Sequence, residues 1–172
     1  GMVVARFGPR RVLLTALVIA AIASFFQSLT PPYIVFFVAR ILEGGAHLAM
    51  VVAAPTLMAA VATPKDKPVA MGLWGTFFGV GFAATATVLP LFPSASALDA
   101  AHAAGLVALM AVLLPLLPRN TPAPPAYESI LKSHIAIYTT PRLLAPALGF
   151  VWHTLIFLGL LTFLPRVIGG WT

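Results

Sequence analysis

Residues 33–61 read YIVFFVARILEGGAHLAMVVAAPTLMAAV, and their reading decides the fold. The run is apolar from Tyr33 to Val61 except for Arg40, Glu43 and His47, which lie well inside it. At about 100° per residue these three positions fall within an arc of roughly 60°, so a helix carries them on one stripe, with Gly44 and Gly45 beside it. Ionisable side chains are expensive on a lipid-facing helix, which predicts that the stripe faces a protein interior or a water-filled path. The rest of the chain has to supply that interior.

Composition supports the same reading. Of 172 residues, 60% are hydrophobic and 8% charged, too few polar groups to cover the surface of a water-soluble domain. An all-α, polytopic transmembrane helix bundle is the expected class. Ten Lys and Arg against four Asp and Glu would suit nucleic acid only if the cations clustered among aromatics. Here they are scattered between apolar runs, so nucleic acid is excluded as a partner and the lipid bilayer takes its place. With no Cys there is no disulfide, thiol nucleophile or Cys-based metal site. Arg10-Arg11 precede the first apolar run as in a signal peptide, but the chain returns to the membrane repeatedly afterwards.

Five runs approach the ~20 residues a bilayer requires: Val12 to Leu29, Tyr33 to Val61, Val69 to Phe92, Ala100 to Leu117 and Leu143 to Leu164. The second is over-long and is expected to tilt or project. Pro55, Pro90 and Pro115 lie inside or near the ends of runs, where a bundle tolerates the kinks they cause. Orientation follows from the connections. Residues 1–11 carry Arg6, Arg10 and Arg11; the loop 62–68 carries Lys65 and Lys67; the loop 118–142 carries Arg119, Lys132 and Arg142. The alternate connections hold only Arg166. Eight cations against one place the first, third and fifth connections in the cytoplasm. The loop 118–142 is Pro-rich at its start, with a short amphipathic surface helix expected over Tyr127 to Tyr138. It reads as a linker between residues 1–117, with four spans, and residues 143–172, with one. An odd number of spans and a triplet short of partners predict that the chain is cut from something longer.

Four features resemble the major facilitator superfamily of transporters. Gly1-Met-Val-Val-Ala5-Arg6-Phe-Gly8-Pro9-Arg10-Arg11 is similar to that family's cytoplasmic loop motif, Gly-x-x-x-Asp-Arg-x-Gly-Arg-Arg or Lys. Arg40-Ile-Leu-Glu43-Gly44 is similar to its fourth-helix motif Arg-x-x-Gln-Gly. Ala70-Met71-Gly72-Leu-Trp74-Gly75 resembles the start of a fifth helix, and the Pro-rich loop sits where the family separates its two six-helix halves. The resemblance implies a partial major-facilitator fold covering the third to seventh helices, about two-fifths of a transporter. It implies a cytoplasmic gating loop at Gly1, Arg6, Gly8, Arg10 and Arg11. Ala5 stands where the motif has Asp and Pro9 where it has Arg, so the charge contacts attributed to that Asp are not available. Gly75-Thr-Phe-Phe-Gly79-Val80-Gly81 matches the family's antiporter signature only faintly, because Val80 replaces its Pro.

In that family the first, fourth, seventh and tenth helices line the cavity, which implies a substrate or proton pathway at Arg40, Glu43, His47, Trp152 and His153. Each has a plainer reading beside this one. Arg40, about seven residues from the outer end of its run, is placed to snorkel. Glu43 suits a proton carrier, since desolvation and a neighbouring cation act on a carboxylate in opposite senses, or else a static Arg-Glu pair. His47 either extends a relay or hydrogen-bonds a neighbouring helix. Trp152 and His153 either line the opposing wall or form part of a core. Gly44, Gly72, Gly75 and Gly79 are expected to admit close helix packing. Asp66, Asp99 and Glu128 are assigned to loops, and His102 and His134 to ends or loops. Four scattered His lack ligand spacing, so no metal or cofactor is expected. No catalytic triad, phosphate-binding glycine loop or paired catalytic carboxylates appear, so an enzyme is not expected. The functional expectation is a secondary active transporter of a small organic solute, proton-coupled or driven by another ion, in the cytoplasmic membrane of a bacterium. The competing expectations are a membrane-embedded enzyme or assembly subunit, and a truncated product that does not transport.

Overall fold

The structure is a computed structural model describing residues 2–119, 135 and 138–169. Gly1 and most of the expected surface helix at 127–138 lie outside the described residues. Every described element is helical. In chain order these are α1 (Met2–Phe7), α2 (Pro9–Ser28), α3 (Tyr33–Val61), α4 (Lys67–Gly75), α5 (Phe77–Val88), a 3-10 turn (Leu89–Leu91), α6 (Ala95–Leu116) and α7 (Pro141–Gly169). Among the described residues, α2, α3, the α4–α5 run from Lys67 to Leu91, and α6 are long and apolar enough to cross a membrane. The fifth expected span is helical as α7, with an apolar stretch at Leu144–Leu160. Two compact units result, Gly1–Ala126 and Tyr127–Thr172.

Within the first unit α2 is the central helix, with α3 packed on one side and α6 on the other. Its buried positions include Val12, Leu13, Ala16, Leu17, Ala20, Ala23 and Ser24, a band broad enough to meet two neighbours. Against it α3 buries Ala39, Ala46 and Ala53, spaced by seven. Alanine on both helices lets backbones approach closely, the device by which helices associate in lipid where no hydrophobic drive exists between them. The expected packing glycines stand clear of these contacts. A Cβ added at Gly44, Gly72, Gly75 or Gly79 would meet nothing within 4 Å. The large outward side chains, among them Ile34, Ile41 and Leu48 of α3, are exposed, as a lipid-facing surface requires.

Three further differences have local causes. Residues 2–11, expected within a loop, form α1 and then a tight turn into α2. Gly8 adopts φ 82 and ψ 147, and Pro9 opens α2 at its first position. That backbone region is nearly closed to side-chain-bearing residues, which explains Gly8 without reference to gating. The third run divides at Thr76, whose hydroxyl donates to the Leu73 carbonyl at 2.8 Å. The fourth run starts at Ala95 rather than Ala100, because Ser94 caps it by accepting the Ala97 N–H at 3.2 Å. Pro55 and Pro115 lie inside unbroken helices, and Pro90 sits in the 3-10 turn.

The ends of the helices agree with the charge pattern. An Arg10 guanidinium N–H donates to the Leu114 carbonyl at 3.2 Å, so the start of α2 and the end of α6 share one side. The end of α2 and the starts of α3 and α6 share the other: Gln27, Thr30, Tyr33 and Ser96 line one pocket there. Because the chain has no Cys, single cysteines at Asp66 and Ser96 can be labelled cleanly with a membrane-impermeant maleimide. Asp66→Cys is expected to react only from the cytoplasmic side and Ser96→Cys only from outside. Reaction of both from one side overturns the topology.

Candidate functional site

A polar cluster gathers in the part of the first unit nearest the uncharged connections. It begins with Glu43, one helical turn beyond Arg40, whose guanidinium donates to Glu43 Oε2 at 2.8 Å. The same oxygen accepts from Gln27 Nε2 of α2 at 3.0 Å. Glu43 Oε1 accepts from the Ser24 hydroxyl at 2.7 Å and lies 3.3 Å from His102 Nδ1 of α6. Arg40 uses its second terminal nitrogen on Asp99 of α6 at 3.3 Å, and its guanidinium lies over the Phe36 ring at 5.0 Å. One cation thus bridges two carboxylates on different helices. Such a fork is specific to guanidinium, whose planar donors serve both acceptors at once.

The physical chemistry of the cluster follows from its depth. Ser24, Arg40 and Asp99 lie within about 10 Å, along their helices, of the ends that meet the uncharged connections, and Glu43 about 15 Å in. Ser24 is fully buried, Gln27 is 1% exposed and Asp99 8%. Two carboxylates held so little exposed need compensation, and the Arg40 fork with the Ser24 and Gln27 donors provides it. Gln27 Oε1 is left without a hydrogen-bond partner among the described residues.

Arg40, Glu43, Gly44, His47 and His102 border one hollow of about 350 Å³. The stripe expected from the sequence therefore faces a shared space. His47 borders the hollow, while Arg40, Glu43 and His102 share the hydrogen bonds. Further toward the Arg10 end lies a second cavity of about 470 Å³, bordered by His47 and otherwise by apolar groups such as Leu17, Met50, Leu57, Trp74 and Leu113. At the Arg10 end Arg6 lies over the Phe7 ring at 5.4 Å and Arg10 donates to the Leu114 carbonyl. Arg11 borders an apolar groove of about 610 Å³ with Phe7, Ile19 and Leu42. In the second unit Trp152 and His153 are exposed neighbours on α7, with His153 stacked on Phe157 at 6.2 Å.

Ser24, Gln27, Asp99 and His102 escaped the sequence reading. Asp99 was placed in a loop and His102 at a helix end, yet both lie inside α6 and close on Arg40 and Glu43. The fourth run therefore supplies partners that the triplet was expected to lack. A signal for them exists. Ser24–Gln27, Arg40–Glu43 and Asp99–His102 are all polar pairs three residues apart near the same side of the membrane.

The family model described as Major Facilitator Superfamily matches residues 1–172. The chain belongs to that superfamily. It is an integral membrane protein of a transporter family whose members bind small-molecule substrates. Comparison with curated proteins and with solved structures finds no match.

Proposed function

We propose that this major facilitator chain serves secondary active transport of a small organic solute, driven by protons that bind at Glu43, in the cytoplasmic membrane of a bacterium. Residues 1–117 belong on this reading to the N-terminal half of the transporter and 143–172 to the C-terminal half, which alternate access by rocking. The observation that carries the proposal is the hollow on which Arg40, Glu43, His47 and His102 converge. Arg40 already shares itself between two carboxylates, so a proton arriving on Glu43 frees the guanidinium toward Asp99 or toward a solute. His47 extends the path inward, and Trp152 and His153 on α7 have a solute-facing role.

The saturation of Glu43 favours a second reading. Three hydrogen-bond donors and the His102 imidazole surround its two oxygens, an arrangement that also suits a static clasp joining α2, α3 and α6. A two-stage experiment separates the readings. Small organic solutes are first screened for raising the melting temperature of the purified full-length protein. Those that bind are then assayed in proteoliposomes under an imposed pH gradient, with a trapped pH-sensitive dye. Accumulation of a bound solute against its gradient, with matching proton entry, is the expected result. A solute that binds but moves only down its own gradient, whatever the pH difference, rejects proton coupling.

A further inference from the structure

We propose that His102 and Ser24 form a proton relay to Glu43, with His102 as the group that exchanges protons with the hollow. The inference rests on the reading of Glu43 as a proton site and adds the route by which the proton reaches it. Three distances define the route. Ser24 Oγ donates to Glu43 Oε1 at 2.7 Å, which fixes the direction of the hydroxyl proton. The remaining lone pairs of Ser24 lie 2.9 Å from His102 Nδ1, so that nitrogen carries a hydrogen and donates it to Ser24. His102 Nδ1 also lies 3.3 Å from Glu43 Oε1, closing a triangle of three groups from α6, α2 and α3.

Exposure assigns the ends of the chain. The His102 side chain is 50% exposed and borders the hollow, the Glu43 side chain is 14% exposed, and Ser24 has no exposed surface. A proton therefore enters at the imidazole, crosses the hydroxyl and stops at the carboxylate. Written in full, a proton from water binds His102 Nε2 while Nδ1–H passes to Ser24 Oγ and the Ser24 proton passes to Glu43 Oε1. The imidazole ends neutral with its hydrogen on Nε2, Ser24 is regenerated, and Glu43 is neutral. Arg40, whose Nη1 then faces a neutral carboxyl, keeps Asp99 as its anionic partner through Nη2. An imidazole suits the entrance because its ordinary pKa is close to neutrality, and a hydroxyl suits the bridge because it donates and accepts at once.

The groups facing Glu43 are the ones that have to be separated in a test. Its own helix presents Arg40 by hydrogen bond and His47 across the hollow. From α2 come Ser24 and Gln27, neither of which titrates near neutrality, and α6 adds His102 and, through Arg40, Asp99. Among these only His102 touches both Ser24 and Glu43.

The test uses protons alone as the probe, in pH-difference infrared spectra of the full-length protein reconstituted in liposomes. The protonated-carboxyl band of Glu43 is identified by its loss in Glu43→Gln. In the native protein this band and the imidazole band of His102 are expected to titrate as a coupled pair, each curve bending where the other group changes charge. His102→Gln is expected to leave a single-step carboxyl curve with its midpoint displaced by about one pH unit or more. Ser24→Ala, which removes one oxygen and is well placed to fold, is expected to keep both bands and, through the direct 3.3 Å contact, their coupling, but to slow the rise of the carboxyl band after a pH jump by about tenfold or more. A carboxyl band that rises after the pH jump at the native rate in Ser24→Ala, and in His102→Gln where it folds, overturns the relay while leaving Glu43 as a proton site. Absence of any carboxyl band lost in Glu43→Gln removes the underlying reading as well.

Discussion

Glu43→Gln is expected to abolish pH-gradient-driven accumulation of solute in the full-length protein, reducing it to the level of protein-free liposomes. The substitution removes the only titratable oxygen pair in reach of Arg40 Nη1, Gln27 Nε2 and the Ser24 hydroxyl. Glutamine keeps the shape and one acceptor, so Ser24 retains its partner. Its amide nitrogen then faces two donors, Gln27 and Arg40, and those two hydrogen bonds are lost. The structural penalty is about 2 kcal/mol, which a folded bundle tolerates. Solute binding by melting-temperature shift therefore remains measurable alongside the flux assay. Retention of full gradient-driven accumulation in a protein that still binds solute would remove Glu43 from the coupling pathway and favour the static clasp.

Replacing Arg40 is expected to have the larger effect on stability. Arg40→Met keeps length and apolar contact with Phe36 but leaves the Glu43 and Asp99 side chains, 14% and 11% exposed, without their shared cation. Removing one partner of a buried ion pair costs about 3–5 kcal/mol, and because the Arg40 side chain is itself 47% exposed the lower end of that range applies. Thermal unfolding in detergent, followed by tryptophan fluorescence, gives the measurement. Arg40→Lys should fall between Arg40→Met and the native protein, since an ammonium cannot reproduce the planar fork. Adding Asp99→Asn to Arg40→Met should recover part of the loss, because the two positions are coupled through one contact. An Arg40→Met protein that melts with the native one would show that the fork carries no stability.

The architecture was legible because two strong signals ran through the whole chain. Apolar runs near bilayer length marked the helices, and the distribution of cations marked which ends lie together; Arg10 on Leu114 and Arg40 on Asp99 agree with both. Arg40 and Glu43 were legible as a pair because three residues separate them on a run whose helical character was not in doubt. Asp99 and His102 were not, for a specific reason. Ser94, Ser96 and Asp99 depress the local hydropathy, which moved the apparent start of the fourth run to Ala100. The capping hydroxyl of Ser94 was the signal that the helix begins earlier. The packing of α2 escaped for a different reason. Alanine and glycine both permit close approach, and sequence spacing alone does not say which of the two a neighbouring helix will meet. Ala39, Ala46 and Ala53 meet it.

The apolar cavity beneath His47 has a bearing on leakage. Its leucine, methionine and aromatic walls offer water few hydrogen-bond partners, so on the proton-coupled reading a file of water running through it from Glu43 would be costly. On the proposed proton-coupled reading, a poorly conducting stretch thus adjoins the carboxylate at Glu43. A transporter needs this arrangement if its stored gradient is not to run down while it carries nothing.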